Sequence, residues 1–187
     1  MTRKLFSFLI MTVLVLTASI CFSQEEAAQT PAAAVEVTEI EPFFYAAVAM
    51  TGSYDQHSDA FQTLMTHTNL QEAPVDMQMF GIYYSDPSQV PVDSLMWEVG
   101  MKMTEAKELT SPLTCKKWDA SLMASIHYKG SFNETDAVYG VLYGWIMQNG
   151  YTPVGPVMEK FLSIPEQDNT GAWSGEVEIC TPVQKAQ

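Results

Sequence analysis

Gly155-Pro156-Val157-Met158-Glu159-Lys160-Phe161-Leu162-Ser163-Ile164-Pro165 is the stretch on which the reading of this chain turns. Its character is repeated earlier, in Met77-Gln78-Met79-Phe80-Gly81-Ile82-Tyr83-Tyr84-Ser85-Asp86-Pro87. Both are apolar and aromatic runs ending in Ser-x-Pro. Such residues fit a pleated surface, and Pro then ends the ladder, so both are expected to be strands. The later copy carries Glu159 where the earlier one carries Gly81. A carboxylate inside an apolar strand is costly unless something pairs with it.

The likeness extends outward at a fixed offset of 78 residues. Gly52 and Ser53 match Gly130 and Ser131, and Leu64 matches Leu142. Ser85, Pro87 and Gln89 match Ser163, Pro165 and Gln167, and Glu98-Val99 matches Glu176-Val177, with no gap. Each half reads as strand, helix, strand, strand. Ser53-x-x-Gln56 and Ser131-x-x-Glu134 are capping-box patterns that open the helices. Phe61, Leu64, Met65 and Thr68 lie at helical spacing in the first half. Val138, Leu142, Trp145 and Ile146 do so in the second, closed by Asn149-Gly150. Two repeats of this period are not a solenoid. They predict an α+β fold of two pseudo-symmetric β-α-β-β repeats, residues 35–104 and 113–184, with antiparallel sheets and one shared core.

Composition bounds the rest. The 187 residues suffice for one domain with a sizeable core. Arg3 and Lys4 precede an apolar run from Leu5 to Ile20, too short and wrongly flanked for a membrane span. Residues 1–23 therefore read as a secretory signal peptide cut after Ser23, and 24–34 (QEEAAQTPAAA from Gln24) as a flexible linker. The expected location is secreted or periplasmic. The formal charge is −13, and removing the two positive charges of Arg3 and Lys4 leaves −15 and no arginine. That argues against nucleic acid, which is bound through Arg and Lys on phosphates. Cys115 and Cys180 would be free to pair in an oxidising compartment. His57, His67 and His127 are scattered and form no ligand cluster, so each reads as a surface or structural residue. No G-x-S-x-G, supported Cys/His pair or metal motif is present. No metal and no cofactor is expected.

Several stretches together resemble the GyrI-like (gyrase-inhibitor-like) effector-binding domain, found also at the C-termini of AraC-type and MerR-type regulators. In the first half they are Phe80-Gly81-Ile82-Tyr83-Tyr84-Ser85-Asp86-Pro87, Val90-Pro91 and Leu95-Met96. In the second they are Tyr128-Lys129-Gly130-Ser131-Phe132, Trp145 with Asn149-Gly150-Tyr151, Gly155-Pro156 through Glu159-Lys160-Phe161, and Glu176 to Val183. Met96 departs from the basic residue common at its position in the family. The resemblance implies a duplicated SH2-like motif over 35–184 with a ligand groove between the halves. It also implies that a glutamate at the position of Glu159 lies on the groove floor among aromatics and meets a lipophilic cation. With a signal peptide and no DNA-binding segment ahead of it, the chain is expected to be a stand-alone ligand-binding domain rather than a regulator.

Strand alternation places Val157, Glu159 and Phe161 on one face, and Met79, Gly81 and Tyr83 on the matching face of the other half. With Trp97 and Tyr143 these are the candidate ligand-binding residues. Tyr139 and Trp145 are further aromatic candidates, Trp145 being a helix-stripe residue of the kind that fills cores. Gly81 is expected to leave room opposite Glu159. The alternative reading is a hydrolase in which Glu159 acts as general base and Tyr143 as the hydroxyl donor.

Overall fold

The computed structural model describes residues 34–187. The expected signal peptide and nearly all of the expected linker lie outside the described residues. The elements follow the predicted order. β1 (Val35–Ile40) and β2 (Phe43–Thr51) are joined by Glu41-Pro42, and α1 spans His57–Leu70. β3 (Val75–Tyr83) and β4 (Met96–Met103) complete the first half, and β5 (Thr114–Trp118) opens the second. β6 (Ser121–Ser131) leads to α2 (Thr135–Gln148), β7 (Tyr151–Pro153) and β8 (Val157–Phe161). The two-residue β9 (Glu166–Gln167) precedes the long β10 (Trp173–Lys185).

Each helix is entered through one 3-10 turn, and only half of each expected capping box forms. Ser53 Oγ accepts from the Asp55 amide at 3.1 Å, and Ser131 Oγ from the Asn133 amide at 3.3 Å. Gln56 turns its amide to the Ser53 carbonyl, and Glu134 accepts from Tyr128, so neither reaches back to the cap amide. Gly150, with φ of 73°, ends α2 in the left-handed conformation that favours glycine.

The strands form an antiparallel sheet in the order β1-β6-β10-β8-β3-β4-β2-β5. β3 and β8, the two stretches that look alike in sequence, lie side by side at its centre, with Gly81 opposite Glu159. From that pair outward the order is the same on both sides: β8, β10, β6 and β3, β4, β2. Two residues matched at an offset of 78 are thus each other's cross-strand partners.

The gapless offset fails in the last strand. Val99 lies opposite Gly81, but Ile179, not Val177, lies opposite Glu159. The counterpart of Glu98 is therefore Glu178, because Glu159 and its partner Ile179 are 20 positions apart in the chain whereas Gly81 and its partner Val99 are 18 apart. The sequence match of Glu98 with Glu176 does not correspond in space.

One face of the sheet carries both helices. α1 packs on β2 and β4, burying Ala60, Leu64 and Thr68. α2 packs against β6 and β7, burying Leu142 and Ile146. β3 and β8 lie between these two helix-covered blocks. The other face is concave. Strands two places apart in a flat sheet are separated by about 10 Å, yet Phe43 of β2 lies 6.0 Å from Phe80 of β3, ring centre to ring centre. Phe80, Met123 and Cys180 share one buried cluster although β3 and β6 are three places apart in the order. Chain connectivity enforces the curl: two residues join edge strand β5 to β6, and two join edge strand β1 to β2, so the sheet's two edges must meet. Cys180 lines the concave cluster while Cys115 packs on the α1 side, so both thiols are free. Burial pushes the Cys180 thiol up to about 12.

Candidate functional site

The β3–β8 pair lies between the strands that α1 and α2 cover, and Glu159 stands on it opposite Gly81. The carboxylate is held by two phenols. Tyr139 of α2 donates to Oε1 at 2.6 Å, and Tyr83 of β3 donates to Oε2 at 3.1 Å. His57 Nε2 lies 2.9 Å from the Tyr83 hydroxyl, at the first residue of α1. Both helices thus meet the carboxylate, one directly and one through Tyr83. Around this line, Tyr54 packs edge-on against Tyr83 at 5.2 Å, and Phe61 of α1 against Phe161 of β8 at 5.3 Å. Glu159, Tyr83, Tyr139, Tyr54, His57, Phe61 and Phe161 are all half-buried. A set of aromatics this size left partly open, around a carboxylate, is a surface built for contact rather than a closed core.

The expectation that Gly81 leaves room for a ligand is corrected. The Tyr83 ring lies across Gly81, and a Cβ built there would be 2.8 Å from Tyr83 Cζ. The missing side chain lets the phenol lie flat on its own strand and reach across to Glu159. Val157 faces Tyr83 across the β3–β8 pair. Trp97 is core, 1% exposed, with its indole nitrogen donating to the Gly52 carbonyl at 3.0 Å. It supports the site from beneath, 4.5 Å from the His57 ring. Met79 packs into the α1-side core, and Tyr143 into the α2-side core. Trp145 stacks on Tyr151 at 6.1 Å, away from the carboxylate. The hydroxyl that reaches Glu159 is that of Tyr139, one helical turn before Tyr143. A signal for it existed: the 78-residue offset pairs Tyr139 with Phe61, and from opposite helices these two meet neighbouring residues of β8, Glu159 and Phe161. His57 had no such signal, since nothing in its surroundings in the chain relates it to Tyr83 or Glu159.

Proton bookkeeping defines what this line of groups can do. Tyr83 has one hydroxyl hydrogen. If Glu159 accepts it, His57 must donate to the phenol oxygen; if His57 accepts it, the phenol oxygen is free to accept from protonated Glu159. Burial pushes Glu159 above the ordinary carboxylate value, against the opposing effect of the Tyr139 and Tyr83 donors. Burial pulls His57 down, against the Tyr54 carbonyl and the charge of Asp55. Burial and the Glu159 charge raise Tyr83 and Tyr139, which remain phenols. Both shifts at the ends of the line favour its uncharged forms.

Those directions predict opposite stability effects. Glu159 stabilises the fold fully below about 4.5, its unfolded value, and loses that contribution as pH rises through its higher folded value. His57 contributes above about 6.5, its unfolded value, and loses it as pH falls through its lower folded value. Between pH 5 and 7, urea midpoints of Glu159→Gln should therefore rise more steeply with pH than wild type, and those of His57→Gln less steeply. Three superimposable profiles would contradict the assignment.

A second carboxylate lies on the concave face. Glu98 is 1% exposed. Its Oε1 accepts from Tyr45 at 2.8 Å and Tyr84 at 2.9 Å, and its Oε2 is bound by the Lys116 ammonium of β5. Here the protein supplies its own cation. Among the described residues no lysine pairs with Glu159, and no group of three or more His, Cys, Asp or Glu is arranged to hold a metal.

Comparison with known proteins agrees with this architecture. No curated protein is similar to the chain in sequence. Among solved structures, the EcmrR C-terminal domain superposes with a TM-score of 0.69 at 14% identity, covering 82% of this chain and 99% of that one. The chain spans 58% of EcmrR as seen in an EcmrR–DNA complex. A hydrolase encoded by lin2189 of Listeria innocua gives a TM-score of 0.63 at 14% identity, over 86% and 96% of the two chains. SAV2435 bound to tetraphenylphosphonium gives 0.54 at 10% identity, over 81% and 94%. These likenesses concern the fold. The model of one family, the GyrI-like small molecule binding domain, matches residues 33–184, and the chain belongs to that family.

Proposed function

We propose that the groove between α1 and α2 binds a small lipophilic cation, with Glu159 as its counter-ion. One observation carries the reading: Glu159 is a half-buried carboxylate among aromatics whose partners are neutral phenols, whereas Glu98 and Glu178 have lysines. A cation would supply the missing charge, and the faces of Tyr83, Tyr54 and Phe161 would add cation–π attraction of about 0.5–2 kcal/mol each. The similarly folded SAV2435 is bound to tetraphenylphosphonium, a ligand of this kind.

The raised proton affinity of Glu159 gives the test. A cation binds the carboxylate form, so affinity should rise with pH through the titration of Glu159 and then level off. Calorimetric titration of tetraphenylphosphonium between pH 5 and 8, in buffers of different ionisation enthalpy, should also show proton release at the acidic end. Affinity independent of pH, with no proton released, would remove Glu159 from the binding site.

Hydrolysis is the second reading. The 2.6 Å contact between Tyr139 and Glu159 favours it, because a hydroxyl donor and a carboxylate of raised proton affinity can act as acid and base. Tyr139 takes the role expected of Tyr143. Turnover of a panel of esters and strained-ring compounds, abolished in Glu159→Gln, would establish it; binding without turnover leaves the cation receptor alone.

Arg3, Lys4 and the following apolar run support a secreted or periplasmic location. Among the described residues no helix is long and apolar enough to cross a membrane. Exported protein is expected to begin at Gln24 on N-terminal sequencing, and an intact Met1 would refute the signal.

A further inference from the structure

One cavity of the described domain lies away from Glu159. It opens on the concave face, across the sheet, with a volume of about 350 Å³. That is within the range of about 300–1,000 Å³ typical of small-molecule sites. Phe43, Phe80 and Met158 supply its apolar lining, and Lys102, Lys160 and Gln78 its nitrogen-bearing groups. Glu41, on the β1–β2 link, is the acidic residue of the lining.

The position follows from the fold. Lys160 lies opposite Phe80 across the β3–β8 pair, and Phe80 lies opposite Gly100 of β4. Gly100 has no side chain to compete with the Phe80 ring, which covers it. Lys102 follows two residues on and returns to the same face. The Phe80 ring is thereby flanked by an ammonium-bearing residue on each neighbouring strand, while Phe43 meets it edge-on at 6.0 Å.

Neither ammonium is fully engaged. Lys160 donates to Glu178 at 2.9 Å and keeps two further N–H groups. Lys102 lies 3.6 Å from Asp76, beyond hydrogen-bonding distance, and 5.8 Å from the Phe43 ring centre. Past residue 23 the chain has seven lysines and a charge of −15 when Arg3 and Lys4 are removed from −13, so two lysines on one cavity run against the general field. An apolar floor with two cationic groups suits a flat apolar body ending in an anion. We propose that this cavity is a second binding site, which takes a small aromatic carboxylate with its ring on the half-buried Phe43 and its carboxylate between Lys102 and Lys160.

The proposal does not rest on the cation reading, and a crossed experiment separates the two. 2-Naphthoate and tetraphenylphosphonium are titrated calorimetrically into wild type, Glu159→Gln and Lys102→Met/Lys160→Met. The naphthoate affinity should fall about tenfold or more in the lysine variant and stay within about twofold in Glu159→Gln. Tetraphenylphosphonium should show the reverse. In NMR spectra of the wild-type protein, the backbone amides of Phe80 and Lys102 should shift as naphthoate is added. If the double variant does not fold, Lys102→Met alone, at the loosely paired lysine, should weaken naphthoate about threefold or more, while Lys160→Arg retains it. Naphthoate binding that is absent from wild type, unchanged without the lysines, or lost in Glu159→Gln overturns the proposal.

Discussion

Replacing Lys116 with methionine is expected to cost about 3–5 kcal/mol of stability, as breaking a buried ion pair typically does. Lys116 is the cation that compensates Glu98, whose side chain is 1% exposed against 37% for Lys116. Removing the lysine strands a carboxylate at the centre of the concave face. Removing the carboxylate leaves an ammonium that can reach water, so Glu98→Gln should cost markedly less. The geometry helps the glutamine, because Tyr45 and Tyr84 both donate to Oε1 and only Lys116 uses Oε2. Adding Lys116→Met to Glu98→Gln should then cost about 1 kcal/mol or less, a coupling readable in a urea double-mutant cycle. Equal costs for the two single variants would mean that Glu98 is not the buried partner described here. With domain stabilities of about 5–15 kcal/mol, the Lys116→Met loss endangers folding itself. The pair fastens edge strand β5 to β4 across β2, and so holds the closure of the curled sheet.

Glu159→Gln is expected to weaken tetraphenylphosphonium binding by about ten- to a hundredfold, about 1.4–2.8 kcal/mol. That is below the roughly 4 kcal/mol of two unit charges 4 Å apart in a medium of intermediate dielectric, since Glu159 is only half-buried. The glutamine keeps an oxygen for Tyr139 or Tyr83 and keeps the shape of the floor, so a loss of affinity reports charge. A neutral ligand of similar shape, such as tetraphenylmethane made soluble by a polar substituent, should bind both proteins within about threefold of each other. Equal tetraphenylphosphonium affinity in both proteins would show that the aromatics alone hold it, or that it binds elsewhere.

The contrast between Glu98 and Glu159 shows how far the chain was readable. Both stand in apolar strand runs, and the rule that flagged Glu159 applies equally to Glu98. What separates them is Lys116, which sits 18 residues beyond Glu98 on an edge strand and reaches it only because β5 pairs with β2 and β2 with β4. Strand pairing of that kind is set by the whole sheet and leaves no local spacing to read. Tyr139 was half-legible, through its match with Phe61. His57 was not, because a helix N-terminus 26 residues from Tyr83 acquires its meaning only when α1 docks beside β3. Gly81 was recognised as the point of asymmetry and misread in its use: the space it leaves belongs to Tyr83. The two-residue slip of β10 escaped the repeat because Glu176 and Glu178 both fit the same alternating pattern, and only the ladder fixes the register.

The sequence by itself determined the elements, the α+β class and the likeness of its two halves, because these depend on short-range pattern: alternation in strands, helical spacing, capping residues and turns. It also marked Glu159 as a carboxylate that had to be accounted for. Tertiary structure decided which carboxylate the protein pairs with a lysine and which it leaves with neutral phenols. The reason is that a charge's cost depends on what lies within a few ångströms in space. Here that neighbourhood is assembled from both helices and from strands that meet only when the sheet is complete.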